Sequence, residues 1–404
     1  MRTPVVVVAG QGYVNKVSDL LLRTPGTVAV LHRFDGQVVV RAVAIRRGDQ
    51  VELSEWPLEL TGGCVGCTVR NDLLLLLRRL HRRSDVERIV VQLQPWLEPE
   101  PVCWAIENIP VHVGPGYIDG PAGRDVRIES VVTCVDSADW LEQALGEDEL
   151  DDNRTVAQVA VGQAEFADVL VLTAPEPRTL AVLRRLAPRA RLTVGTDHVE
   201  TALANLEPDA RRGREHNPHD PLLAGEPPLR ADGDIRLIEF TARRPFHPHR
   251  LHQAIDDLLD GVVRVRGRAW LASRPDAVVW IESAGGGLHV GHAGEWLAAM
   301  SANQRAYVAP DRSALAALHW DDRFGDRHVS MTALLCGADP DVITRALDRA
   351  LLTDDELARP GEWPSYPDPF GDRHEDPCDD LDEDVAKDPA VNDGHDGGQG
   401  AAPL

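Results

Sequence analysis

At 404 residues the chain has room for two cores and a tail, and 43% hydrophobic with 26% charged residues excludes a fibrous or wholly disordered protein. Its formal charge of -23, from 42 basic against 65 acidic residues, excludes the basic footprint that a phosphate backbone selects, so sequence-specific DNA binding is not expected. Six cysteines in a chain of this length, two of them in Cys64-Val65-Gly66-Cys67, make no disulfide framework and fit reduced thiols in the cytoplasm.

Val5-Val6-Val7-Val8 is the continuous apolar run that a parallel strand covered on both faces requires. Gly10-Gln11-Gly12 breaks it before a segment running from Lys16 to Arg23, which reads as strand, glycine loop and helix. The apolar run is too short for a signal-peptide core or a membrane span, and so is Leu73 to Leu77, so no membrane association is expected. Strand-like runs recur at residues 28–31, 89–93, 128–135, 169–172 and 192–194, with helical stretches at 71–83, 137–145 and 177–186 between them.

This alternation predicts an α/β fold, a mostly parallel sheet with helices on both faces, over residues 1–205. Residues 206–233, rich in Pro, Arg, Asp and Gly without periodicity, read as a linker. Over residues 234–356 the pattern changes to strands at 236–241, 266–272 and 277–283 with helices at 248–259 and 340–352, a smaller α+β domain. Residues 357–404 read as an acidic, largely disordered tail. From Thr353 onward 16 acids face three bases, so 13 of the 23 excess negative charges sit at this end.

A phosphate-binding loop needs Gly-x-x-x-x-Gly-Lys-Ser/Thr after a strand, because backbone N–H groups cradle phosphates, Lys contacts them and the hydroxyl holds Mg²⁺. Gly10-Gln11-Gly12-Tyr13-Val14-Asn15-Lys16-Val17-Ser18 keeps the strand, Gly10 and Lys16. Asn15 stands where the second glycine belongs. Val17 stands where the metal-binding hydroxyl belongs, with Ser18 next to it. Lysine occurs only twice in the chain, and one of the two falls at the phosphate position, where arginine's planar fork is no substitute. By itself the motif divides evenly between a nucleotide site and a strand-to-helix turn with an incidental lysine.

The Cys64/Cys67 spacing lets two thiolates reach one tetrahedral ion from a single turn, and zinc suits soft sulfur. Gly62, Gly63 and Gly66 leave the loop free to take the required dihedrals. The bland reading is a pair of core cysteines at a helix start.

Several segments in order resemble the CobW-like P-loop GTPase family, across most of residues 1–356. Gly63-Cys64-Val65-Gly66-Cys67-Thr68-Val69-Arg70-Asn71-Asp72-Leu73 is similar to its Gly-Cys-x-Cys-Cys-Thr-x-Arg-x-Asp-Leu signature, with Gly66 in place of the middle cysteine. Gln163 to Leu172 resembles the strand leading into the guanine-recognition motif, and Val131 to Asp136 an adjacent strand. Ala242 to Leu251, Arg264 to Gly267 and Phe324 to His328 resemble parts of the second domain.

The resemblance implies Zn²⁺ at Cys64 and Cys67, and GTP with Mg²⁺ at Gly10, Gly12, Asn15, Lys16, Val17 and Ser18. The family's metal-binding switch glutamate is replaced by Arg33, so a further zinc ligand is sought among His32, Asp35 and His81. The guanine reader Asn-Lys-x-Asp maps onto Thr173-Ala174-Pro175-Glu176, and the Glu-x-x-Gly after the second phosphate-site strand onto Gln92-Leu93-Gln94-Pro95. These losses predict weak nucleotide binding without fast turnover.

The branch it resembles most implies a zinc-responsive regulator that recruits a ribosome hibernation factor to the ribosome. The wider family implies a GTP-dependent zinc metallochaperone. A third reading is a partner protein with neither ligand. Arg78, Arg79, Arg82 and Arg83 on one helix offer either charge complementarity to a partner or a solvated face.

Overall fold

The computed structural model describes residues 2–371. Its first sheet contains β1 (Thr3–Gly10), β2 (Thr27–Phe34), β3 (Val39–Arg47), β4 (Gln50–Leu58) and β5 (Arg88–Gln92). A small ribbon of β6 (Pro110–Val111) and β7 (Gly120–Pro121) follows, and then β8 (Val126–Val135), β9 (Val169–Leu172) and β10 (Arg191–Val194) complete the sheet. The eight strands lie in the order β10-β9-β8-β1-β5-β2-β3-β4. Those from β10 to β2 are parallel, while β3 and β4 form an antiparallel hairpin on the edge.

The valine run explains the central position of β1. Successive side chains point to opposite faces, and Val5 through Ala9 are all fully buried. Val5, Val7 and Ala9 pack against Leu73, Leu74 and Leu77 of helix Val65–His81. Val6 and Val8 pack against Val14, Val17 and Leu21 of helix Val14–Leu21. Each buried valine contributes about 1.5–2 kcal/mol of transfer free energy, so this strand anchors both layers.

The second sheet is antiparallel, in the order β11-β15-β12-β13-β14, built from β11 (Ile235–Ala242), β12 (Val262–Ala269), β13 (Ala277–Ala284), β14 (Gly287–Glu295) and β15 (Val329–Cys336). A shared apolar cluster joins the two sheets: Trp140, Ala157 and Ala160 from the first unit meet Val263, Ala284 and Leu334 from the second. Among the described residues no helix is long and apolar enough to cross a membrane.

Several expectations are corrected. Residues 39–58 form a hairpin that periodicity missed, because β4 is exposed along nearly its whole length and so lacks a buried face to mark it. Gln163 to Glu165 close helix Val156–Glu165, and the strand begins only at Val169. The expected helix over 248–259 is two short helices, Pro248–Gln253 and Ile255–Leu259, separated by Ala254.

The segment read as a linker carries neither helix nor named strand but is tied to both sheets. Asp168 accepts from the Arg212 amide at 2.9 Å, and Arg268 donates to the Pro218 and Asp220 carbonyls at 2.9 Å each.

Residues 357–371, the part of the tail that the structure describes, pack against the second unit. Trp363 is 5% exposed and meets the edge of Trp270 at 6.0 Å, and Asp368 accepts from Ser273 at 2.6 Å and Arg274 at 2.8 Å. Residues 372–404 lie outside the described residues. Trp363→Ala removes a buried aromatic and leaves a cavity beside Trp270, at a cost of about 3–5 kcal/mol. Urea denaturation followed by tryptophan fluorescence checks this, with a midpoint unchanged from wild type as the contrary result.

Candidate functional site

Two chemical features sit at the carboxyl ends of the parallel strands and beside them. The first is the loop between β1 and helix Val14–Leu21. Gly10 adopts φ of +110°, and a Cβ there would lie 2.0 Å from the Cys134 carbonyl oxygen of β8. The Gln11 and Gly12 amides both donate to that oxygen, at 3.0 and 3.4 Å. The chain therefore turns tightly over β8 and enters the helix at Val14, whose first turn has no side-chain cap. A cavity of about 480 Å³ opens there, lined by Gly10 to Lys16, Leu31 and Gln92 to Pro95.

The cavity lining contains one ammonium, several carboxamides and no carboxylate. The Lys16 ammonium rests 4.0 Å from the centroid of the Tyr13 ring. Gln92 donates to Asn15 Oδ1 at 2.7 Å, Gln94 donates to the His32 carbonyl at 2.9 Å, and Gln11 donates to the Pro95 carbonyl at 2.7 Å. Val17 is fully buried in the apolar layer beneath β1, and the adjacent Ser18 hydroxyl is also buried, without a hydrogen-bond partner.

These observations test the fit of nucleotide and metal separately. Lys16 and the uncapped amides of Val14, Asn15 and Lys16 fit a phosphate. Among the described residues no oxygen set for Mg²⁺ lines the cavity: the hydroxyl position holds the buried Val17 and the acidic position on the neighbouring strand holds Gln92. Where a guanine reader would lie, Thr173 donates to Asp136 at 3.1 Å and Glu176 accepts from the Thr179 amide at 2.5 Å, capping helix Pro177–Leu186.

The second feature is the thiol pair. Gly62 and Gly63 take φ of +58° and +78°, turning the chain from β4 into helix Val65–His81, while Gly66 is simply helical. Cys64 caps that helix, its sulfur accepting the Cys67 amide at 3.1 Å. A ring of bonds holds the turn: Thr61 N–H to Thr68 Oγ1 at 2.8 Å, Thr68 Oγ1 to Cys64 O at 2.8 Å, and Cys64 N–H to Thr61 O at 3.0 Å. The Cys67 thiol and amide both hydrogen-bond the Cys64 sulfur, and with Arg70 nearby they hold its thiol below the ordinary range. The two sulfurs thus face each other across one helical turn.

The expected third ligands are engaged elsewhere. His32 is buried with Nε2 2.7 Å from Asp72 Oδ2, and Arg41 donates to the other Asp72 oxygen at 2.7 Å. Asp35 accepts from the Gln37 and Val38 amides in the β2–β3 turn, and His81 meets Thr3 at the far end of the helix. Among the described residues no cluster of three or more His, Cys, Asp or Glu is arranged to hold a metal. Neither cysteine lines the phosphate cavity.

One hydrogen-bonded path nevertheless connects the features. Gln94 at the cavity holds the His32 backbone, the His32 ring holds Asp72, and Asp72 lies about two turns along the helix that begins at the thiols. Sequence reading missed Asp72 as a partner, and it missed Gln163. The latter is 1% exposed, donates to the Pro95 and Leu97 carbonyls at 2.7 Å each and accepts from Gln11 at 3.1 Å.

A parallel sheet whose first strand feeds a glycine turn and a lysine-bearing helix, followed by a five-stranded antiparallel unit, defines a CobW-type architecture. Residues 32–181 match the CobW/HypB/UreG nucleotide-binding domain and residues 235–351 the cobalamin synthesis protein cobW C-terminal domain. The chain belongs to this family. The first match begins beyond Gly10–Ser18, where the motif departs from the family.

A zinc chaperone of Mycobacterium tuberculosis is 63% identical over 94% of this chain and 96% of its own length. A zinc-regulated GTPase metalloprotein activator of Dictyostelium discoideum is 26% identical over 78% of this chain and 70% of its own. The Zn(II)-bound YjiA GTPase from E. coli aligns over 87% of this chain and 100% of that one, at 15% identity and a TM-score of 0.38.

The thiols differ in environment. Burial pushes the Cys134 thiol up to about 12 and raises Cys103 further, whereas Cys64 is shifted down. In the native protein at neutral pH, iodoacetamide alkylates Cys64 ahead of Cys103 and Cys134, since the thiolate is the nucleophile. Peptide mass spectrometry over a time course reads the order, and equal rates at the three sites contradict the assignment.

Proposed function

We propose that this protein is a cytoplasmic zinc chaperone: it carries Zn²⁺ as cargo on Cys64 and Cys67 and passes it to an acceptor with more ligands. The observation that carries the reading is the thiol pair itself. Two sulfurs within hydrogen-bonding reach, one with its thiol shifted down, sit at a helix start beside a glycine turn. Zinc binding needs both sulfurs deprotonated, so the ion enters as the remaining thiol protons leave to solvent. Two sulfur ligands leave tetrahedral positions open, and an incoming ligand attaches there before either sulfur lets go.

Two relatives named for zinc handling support delivery of the ion. They favour it over recruitment of a ribosome hibernation factor to the ribosome, the reading in which the same loop only senses zinc. Of the arginines suggested as a partner surface, Arg78 is buried and spends its donors on Asp125, Val111, Gly120 and Ile118. Arg82 lies over Tyr117 and Arg83 pairs with Asp85. The nucleotide arm of the reading, a phosphate-bearing ligand, rests on Lys16 and the uncapped amides beside it.

Zinc titration against a chromophoric chelator tests the proposal. Cys64→Ser and Cys67→Ser each lower affinity by about tenfold or more, the scale of losing a strong ligand bond. A Cβ at Gly66 meets nothing within 4 Å, so Gly66→Cys adds a third thiolate, raises affinity and slows transfer to an apo zinc enzyme. Wild-type affinity in both serine variants defeats the reading.

A further inference from the structure

We infer that the cavity beside Lys16 binds the polyphosphate part of its ligand without a divalent cation and without reading a base. This rests on the cavity being a ligand site, and is independent of the zinc reading. A hydrolytic site of this architecture needs Mg²⁺ to bridge two phosphates, held by a hydroxyl on the helix and an acid on the neighbouring strand. Here the helix position holds Val17, buried among Val6, Val8 and Val132, a side chain that offers the cavity no oxygen.

On the neighbouring strand Gln92 is neutral and is committed to Asn15, its NH₂ 2.7 Å from Asn15 Oδ1. That bond closes one wall of the cavity with amides. It also leaves the Asn15 NH₂ as the donor available to a ligand, since a carboxamide has both a donor and an acceptor end. Asp136, whose backbone nitrogen lies beside Gly12, accepts through Oδ1 from Thr173 at 3.1 Å and from the Ala138 amide at 3.2 Å, and its side chain does not line the cavity.

The remaining groups all favour an anion. Among the described residues no carboxylate pairs with Lys16; its ammonium lies on the Tyr13 ring, a contact that a phosphate oxygen outcompetes. The amides of Val14, Asn15 and Lys16 open the helix without a cap. The loop that would move with a γ-phosphate is fixed instead. Gln163, 1% exposed, holds both the Pro95 and Leu97 carbonyls at 2.7 Å, and Arg154 bonds the Trp96 carbonyl at 3.2 Å and Glu98 at 2.6 Å. No Asn or Lys stands at the base-reading positions, which hold Thr173, Ala174 and Glu176.

Phosphate chains come either on a nucleotide or free, so the test uses GTP, ATP and inorganic triphosphate on the full chain. Isothermal titration is run in chelator-treated, magnesium-free buffer and again with added Mg²⁺. The three ligands bind within about threefold of one another, added Mg²⁺ changes affinity by less than about threefold, and Lys16→Ala lowers it about tenfold or more. No binding to the wild-type chain, a requirement for Mg²⁺, or a clear preference for guanine overturns the inference. Gln92→Glu combined with Val17→Thr supplies the missing oxygens, and gain of Mg²⁺ dependence in that variant confirms that the wild-type chain lacks them. Zinc affinity is measured on the same preparations, so failure of the phosphate site and failure of the thiol site are read apart.

Discussion

Everything at the phosphate end depends on the backbone of β1 lying directly against that of β8. The Cys134 carbonyl takes two amides, those of Gln11 and Gly12, as the chain turns over it. A side chain on Gly10 would collide with the same oxygen. This contact sets where the helix begins, and so where Lys16 and the uncapped amides converge. The turn separates two demands often met by one motif. Backbone shape requires glycine at one position, and metal chemistry requires oxygens at others; only the first is satisfied here.

The amide substitutions have a second effect. Carboxamides donate and accept, so Gln11, Gln92, Gln94 and Gln163 bind the loops around the cavity to each other and to the strands. An acidic set would repel itself in the absence of metal and relax when metal arrived. The neutral set has no such instability. The path from Gln94 through His32 and Asp72 ties the cavity wall to the helix that begins at Cys64.

Most of the fold was legible because buried parallel strands declare themselves as unbroken apolar runs. Val5 to Val8 and Val169 to Leu172 needed no context, and the alternation with helices followed. The β3–β4 hairpin was not legible, since Arg33–Glu55 and Arg47–Glu52 pairs on an exposed ribbon look like ordinary surface charge. Cys64 and Cys67 could be read from spacing alone, whereas the fates of His32 and Asp35 could not. His32 answers to Asp72, forty residues on in the chain and adjacent only in space. Trp363 was hidden for a different reason: with Tyr366 and Phe370 it is spaced by prolines that read as loop, and its burial is decided by Trp270.

Strand β4 is the outer rim of the first sheet, with Val51 49% and Leu53 61% exposed and one row of backbone groups facing solvent. Such a rim is a template for another chain, and this one carries its own deterrents: Pro57 lacks a donor, while Glu52 and Glu55 repel a like strand. A variant that neutralised Glu52 and Glu55 would leave Pro57 as the rim's remaining deterrent and favour self-assembly, with the turn that carries Cys64 and Cys67 lying at the seam.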